Sequence, residues 1–126
     1  SKRSLERLKT CDPRLQDVAH AALKRMDFTV LCGFRNQQEQ EDCFERGTSK
    51  LHWPRSPHNK SPSKAMDLAP YPIDWEDTDR FKALAMIVIS EAARLQVPMR
   101  WGGDFNRNGI YGDDKFRDLP HFEIDE

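Results

Sequence analysis

Of the four histidines in this chain, His20, His52, His58 and His121, two stand in settings suited to metal chemistry. His58 closes the tripeptide Ser56-Pro57-His58, and nine residues later Asp67 interrupts the apolar run Ala65-Met66-Asp67-Leu68-Ala69. His121 lies in the stretch Asp118-Leu119-Pro120-His121-Phe122-Glu123. Two neutral imidazoles and a carboxylate form a donor set for one catalytic Zn2+, because three protein ligands leave a fourth position for water and keep net positive charge on the ion. A carboxylate in an apolar strand must be paired or metal-bound once it is buried. Asp118, three residues before His121, is separated from it by Pro120, which prevents a regular helix; a turn there brings both side chains toward one water and makes Asp118 the candidate general base. Glu123, two residues after His121, points to the same side of a strand, as an orienting partner or a substrate contact. Residue types and spacing leave a second reading open, in which the histidines are surface residues and Asp67 belongs to a loop or a helix cap.

The elements that must position these groups follow from periodicity. Ser4–Leu8 reads as a short helix. A second helix begins with Asp12 as cap and Pro13 in the first helical position, and it carries Leu15, Val18, Ala19, Ala22 and Leu23 at helical spacing toward Met26. Phe28–Cys32 is a strand ended by Gly33, and Asn36–Arg46 is a polar helix. The Gly-, Ser- and Pro-bearing stretch from Gly47 to Ser63 is a long loop, the kind of segment that tends to carry function. Ala65–Leu68 is a short strand. Thr78–Leu95 is a helix with Phe81, Leu84, Ala85, Val88, Ile89, Ala92 and Leu95 on its core face. Strands at Met99–Trp101 and His121–Ile124 flank a turn-rich loop, Phe105–Phe116. Helices mixed with few, short strands predict an α+β fold with a small, mainly antiparallel sheet.

Composition narrows the class. A chain of 126 residues fits one domain, here residues 1–126, able to bury one core. With a net charge of -1, no global field draws it to nucleic acid or to an acidic membrane. The longest apolar run, Ala83–Ile89, is too short for a bilayer, and no apolar segment of a secretory signal follows the basic N-terminus, so a cytoplasmic product with no membrane anchor is expected, the alternative being a processed product whose signal has been removed. Cys11, Cys32 and Cys43 lack a disulfide or zinc-knuckle spacing and are read as reduced thiols, Cys32 in the core. Trp101 and Tyr71 are expected to line a cleft or to pack in the core, and Trp75 to pack in the core or staple the following helix, with substrate contact as the alternative. His20 and His52 are not expected to bind metal. Asp104-x-Asn106-x-Asn108-Gly109 matches the first half of a Ca2+ loop, against the alternative of a Gly/Asn-rich turn.

A series of motifs in order then resembles a known family. They are Gly33-Phe34-Arg35 with Gln40, Ser56-x-His58, Ala65-x-Asp67, Tyr71-Pro72-Ile73-Asp74-Trp75, Trp101-Gly102-Gly103-Asp104 and Asp118-x-x-His121-Phe122-Glu123. Together, from Leu15 to Glu123, they resemble the zinc peptidases of the D-Ala-D-Ala carboxypeptidase and VanY/VanX type on the hedgehog/DD-peptidase fold, and among these the phage L-alanyl-D-glutamate endopeptidases, or endolysins. The resemblance implies His58, Asp67 and His121 as ligands of one zinc and Asp118 as base. It implies Arg35 as the group that binds a developing oxyanion or a substrate carboxylate, and Ser56 as a position near substrate. It implies hydrolysis of the L-Ala–D-Glu bond of the peptidoglycan stem peptide by an endolysin that lyses the host from its cytoplasm, or alternatively by a virion-borne lysin; a monomer is the default expectation, with no nucleic-acid partner and no separate wall-binding domain. A D-Ala-D-Ala carboxypeptidase or dipeptidase with the same centre, or a catalytically silent hedgehog-like module, are the alternatives. The chain departs from the common pattern in three places: His58 and Asp67 are nine apart rather than seven, the base is Asp118 rather than glutamate, and Phe105 stands where tryptophan is frequent.

Overall fold

The computed structural model of the chain describes residues 1–104 and 118–126. The candidate Ca2+ positions Asn106 and Asn108 lie outside the described residues, as does Phe105; Asp104 is half-buried, its amide donating to the Trp101 carbonyl at 3.0 Å.

The helices begin where capping chemistry places them. Helix α1 (Lys2–Leu8) starts earlier than its sequence suggests, because Ser1 rather than Ser4 provides the cap. The Ser4 hydroxyl instead accepts the Val30 amide at 3.0 Å and ties α1 to the sheet. Helix α2 (Pro13–Leu23) opens on Asp12, whose carboxylate accepts the Arg14 amide at 2.8 Å. Helix α3 (Gln37–Glu45) carries a complete capping box between Asn36 and Glu39, and its Arg46 cap is followed by Gly47, which has the positive φ of 77° that favours glycine there. Helix α4 (Thr78–Arg94) buries Phe81, Leu84, Ala85, Val88 and Ala92. The expected core face was too wide: Leu23, Ile89 and Leu95 are exposed. Leu23 and Leu95 fall where their helices stop, and Ile89 lies at the margin of a face the other five already fill.

Strands β1 (Phe28–Cys32), β2 (Ala65–Pro70), β3 (Met99–Trp101) and β4 (His121–Ile124) form one antiparallel sheet in the order β1-β2-β4-β3. This is the small α+β architecture that the sequence predicts. The last strand of the chain inserts between β2 and β3, and its register sets Asp67 directly opposite His121 and Arg100 opposite Glu123. Alternation does the rest. Met66, Leu68, Phe122 and Ile124 bury in the core with residues of α2 and α4, while Asp67, His121 and Glu123 project from the other face. A register shift between Val30 and Cys32 pairs Cys32 with Asp67 and turns Cys32 toward that same face, so it is a half-buried cleft residue rather than the core residue expected from its strand. Among the described residues, no helix is long and apolar enough to cross a membrane.

The long 47–63 stretch is less irregular than expected. It contains a single 3-10 turn, Pro57–Asn59, and its end is fastened to α2: Ser63 exchanges backbone hydrogen bonds with Thr10 and Asp12, and Lys64 reaches the Asp12 carboxylate at 2.7 Å. Hydrogen bonds from Arg14, then Lys64, hold the Asp12 carboxyl well below the usual carboxylate range. Asp12→Ala, which removes cap and ion pairs together, is expected to cost about 1–3 kcal/mol of stability near neutral pH, with Asp12→Asn recovering part of it through the cap. Because the folded-state pKa is depressed, this contribution is present above the ordinary carboxylate range and disappears as the pH falls through the folded value. Urea denaturation at pH 7 and pH 3 measures it; an equal loss at both would remove the charge from the explanation.

Candidate metal centre

Three separate pieces of chain converge on one carboxylate. His58, on the 3-10 turn, places Nε2 3.2 Å from Asp67 Oδ1, and His121, on β4, places Nδ1 3.3 Å from the same oxygen. The imidazole centroids are 5.2 Å apart. Both imidazoles are nearly buried, at 2% and 6% exposure, so their orientation is fixed by the protein rather than by solvent.

What each ring does with its other nitrogen decides what this cluster can be. His58 Nδ1 lies 2.8 Å from the Gly33 carbonyl, which can only accept, so in the neutral ring the proton sits on Nδ1 and the lone pair of Nε2 faces Asp67. His121 Nε2 lies 2.8 Å from Glu123 Oε1, which places the proton on Nε2 and leaves the lone pair of Nδ1 toward Asp67. Two tautomers are thus set by outer partners so that both free nitrogens meet one carboxylate, the arrangement by which histidines are oriented as metal ligands. The donor set fits a borderline ion such as Zn2+.

The surrounding residues hold this geometry. The Ser56 hydroxyl accepts the His58 amide at 3.2 Å, and Ser56 donates its own amide to Asn59 Oδ1 at 3.1 Å, closing a capping box on the short turn. Asn59 Nδ2 donates to the Arg35 carbonyl and to Gln40 Oε1, each at 3.1 Å, and fully buried Gln40 in turn accepts from Arg35 Nη1 at 3.0 Å. Arg35 is thereby aimed at the centre, with Nη2 3.6 Å from Asp67 Oδ2. Gly33 can supply its carbonyl only because it lacks a Cβ, which would overlap the Thr10 hydroxyl and the Arg7 carbonyl. Asp118 is positioned by the turn after β3: it exchanges backbone bonds with Gly102 and His121, and a Cβ on Gly102 would collide with its carbonyl.

Electrostatics follow from this crowding. Burial opposes charge on His58, but the charge and hydrogen bond of Asp67 outweigh it and push the imidazole up to about 10. Burial is likewise outweighed at His121, which is raised by its hydrogen bonds to Asp67 and Glu123. Asp67, despite burial, is held far below the carboxylate range by both imidazoles. Asp118 moves the other way: burial, reinforced by the Asp67 charge, raises it against the opposing pull of His121, His58 and Arg35. One carboxyl locked as an anion beside another able to exchange a proton is the division of labour expected of a ligand and a base.

A cleft of about 920 Å³ opens over the cluster and is lined by Arg35, Ser56, His58, Asp67, Asp118, His121 and Glu123 among others. The other sequence candidates fall elsewhere. Trp101 packs against the core, donates Nε1–H to the Leu119 carbonyl at 2.8 Å, and so steadies the turn leading into β4. Tyr71 is exposed and is not among the residues lining the cleft. His52 pairs with Glu41 and stacks on Phe44. His20 is exposed on α2. Four contributors were missed: the Gly33 carbonyl, Asn59, Arg100 and Cys32. Asn59 had a signal, since Ser56-x-x-Asn59 is a capping-box spacing. Arg100, which pairs with Glu123 at 3.1 Å, had none, because its partner depends on strand register. Cys32 Sγ lies 3.8 Å from His58 Nδ1 and has donor atoms of His58 and Asp67 within 4.8 Å.

Comparison with known proteins places this geometry. A family model described as phage L-alanyl-D-glutamate peptidase matches residues 1–124. The L-alanyl-D-glutamate peptidase of Escherichia phage T5 is 35% identical over 131 residues, covering 98% of this chain and 95% of the relative. The crystal structure of the Serratia marcescens L-Ala D-Glu endopeptidase ChiX superposes with a TM-score of 0.78 at 27% identity, covering 98% of this chain and 86% of that one.

Proposed function

The chain belongs to the phage L-alanyl-D-glutamate peptidase family, and on that footing we propose that it is a zinc-dependent peptidoglycan hydrolase that cuts the L-Ala–D-Glu bond of the stem peptide. The observation that carries the metal part is the pair of buried imidazoles whose outer nitrogens are held by the Gly33 carbonyl and Glu123 while their inner nitrogens both meet Asp67. His58 Nε2, Asp67 and His121 Nδ1 would hold the ion. Bound there, Zn2+ supplies Lewis acidity, polarising the scissile carbonyl and acidifying water.

The protein's own groups account for the remaining steps. Asp118 accepts a proton from the attacking water as its oxygen bonds to the L-Ala carbonyl carbon, then delivers that proton to the D-Glu nitrogen as the C–N bond breaks. The Arg35 guanidinium, fixed by Gln40 and facing the cleft, stabilises negative charge on the former carbonyl oxygen or holds a substrate carboxylate. Glu123, clamped by Arg100, keeps His121 in its ligating tautomer. In this reading the chain works as a monomeric catalytic domain over residues 1–126, as an endolysin released from the host cytoplasm onto the wall.

Metal binding has a signature in protons. Because the metal-free imidazoles are pulled to high pKa by Asp67, the ion must displace protons from them. Adding Zn2+ to chelator-stripped protein in weak buffer at pH 7 is expected to release protons, and affinity should rise with pH. Tight binding without proton release would contradict the assignment of His58 and His121 as ligands.

A further inference from the structure

Trp75 is 59% exposed, an unusual state for the largest apolar side chain, and it lines the same cleft as His58, Asp67 and His121. It does not stand free. Its indole stacks on Phe81, with centroids 5.5 Å apart and planes 22° from parallel, and Phe81 is itself buried in the core at 2% exposure. The segment that carries it is braced from below: Arg80 donates to the Pro72 carbonyl at 2.7 Å and to the Tyr71 carbonyl at 2.8 Å, while Asp74 Oδ1 accepts the Glu76 amide at 3.1 Å. The sequence favours core packing or a helix staple for Trp75 over substrate contact. The structure shows the indole packed on Phe81 of α4, with the rest of the ring left on the cleft. A flat ring held on one side by an offset stack on a core aromatic is a preorganised platform.

The substrate chemistry says what such a platform would meet. In peptidoglycan the amine of the stem L-Ala is acylated by the lactyl group of N-acetylmuramic acid. A sugar ring therefore lies one residue from the L-Ala–D-Glu bond, on its acyl side, whenever intact wall is cut. Pyranose rings present flat C–H faces that pack on aromatic rings. We propose that Trp75 is a sugar-binding platform for the muramyl disaccharide of the glycan strand, placed to hold the acyl side of the substrate. This rests on the L-Ala–D-Glu cleavage reading above.

Two substrates with one stem tripeptide test it, one N-acetylated on L-Ala and the other carrying the GlcNAc-MurNAc disaccharide. The zinc-loaded full chain is expected to favour the disaccharide substrate in kcat/KM by roughly tenfold, the worth of a well-formed ring contact. Trp75→Ala should bring that ratio close to one, and Trp75→Phe should keep most of it. Trp75→Leu, which retains apolar bulk against Phe81 without a flat face, should not. No preference in the unmodified chain, or an equal loss on both substrates in Trp75→Ala, would overturn the platform. A second arm needs no hydrolysis: the indole N–H resonance of Trp75, identified by its loss in Trp75→Phe, should shift saturably on titration with the disaccharide alone. Saturable shifts without cleavage of either substrate would sink the peptidase reading and leave the platform standing. Cleavage with a ratio of one and no shift would do the reverse.

Discussion

Asp118→Asn is expected to retain stoichiometric zinc and to lower kcat by about 10²–10⁴-fold, the usual worth of a positioned general base. The substitution preserves shape and leaves the backbone bonds to Gly102 and His121 in place, so the turn that presents residue 118 survives. What it removes is proton acceptance. Asp118 suits that task because burial and the neighbouring Asp67 anion raise its pKa, letting it take a proton and give it back, while Asp67 itself is held ionised by two imidazoles. The acid limb of the kcat/KM profile that reports protonation of Asp118 should accordingly vanish in the variant. Metal analysis beside steady-state kinetics measures both. A variant that turns over normally removes Asp118 from the base's role; one that loses zinc makes it a ligand.

Asp67→Asn is expected to fail differently, by losing the metal. Asp67 is the common point of the cluster, reached by His58 Nε2, His121 Nδ1 and Arg35. An amide is a poor ligand and cannot neutralise the ion, so zinc affinity should fall by at least about 10²-fold, beyond the effect of losing an outer partner, and activity should fall with it. The metal-free protein should report the same change through pH. With Asp67 present, His58 is raised to about 10, so the stabilisation from their pairing is complete below the ordinary histidine pKa and fades as the pH rises through 10. Stripped Asp67→Asn should be most destabilised relative to stripped parent near pH 6 and least near pH 10. A deficit independent of pH, with zinc still tightly held, would place the ion elsewhere.

Much of this site is legible in the sequence, for a reason that lies in the residues. A carboxylate in the middle of the apolar run Ala65-Met66-Asp67-Leu68-Ala69 demands a partner once it is buried, and the two-residue spacing of His121 and Glu123 fixes them on one face. Caps at Asp12 and Asn36 marked helix starts because capping is local. What stayed hidden was set by contacts distant in sequence. That β4 inserts between β2 and β3, bringing His121 opposite Asp67 and Glu123 opposite Arg100, is a matter of register. The displacement of Cys32 from core to cleft comes from a shift in the β1–β2 pairing that no composition signals. Carbonyl roles, such as that of Gly33 toward His58, leave no trace in side-chain identity; only the absence of a Cβ where the chain crowds Thr10 and Arg7 hints at them. Across the nine-residue span from His58 to Asp67, the 3-10 turn and the tether of Ser63 and Lys64 to the start of α2 keep the two side chains 3.2 Å apart.

The most direct test of the whole account is mass spectrometry of muropeptides from purified sacculi digested with the zinc-loaded chain, with and without a chelator. The account predicts released peptides with new D-Glu N-termini and glycan strands that keep L-Ala, both abolished by the chelator and restored by Zn2+. Products ending only at D-Ala, or D-Glu N-termini that persist at full yield in the chelator, would contradict it.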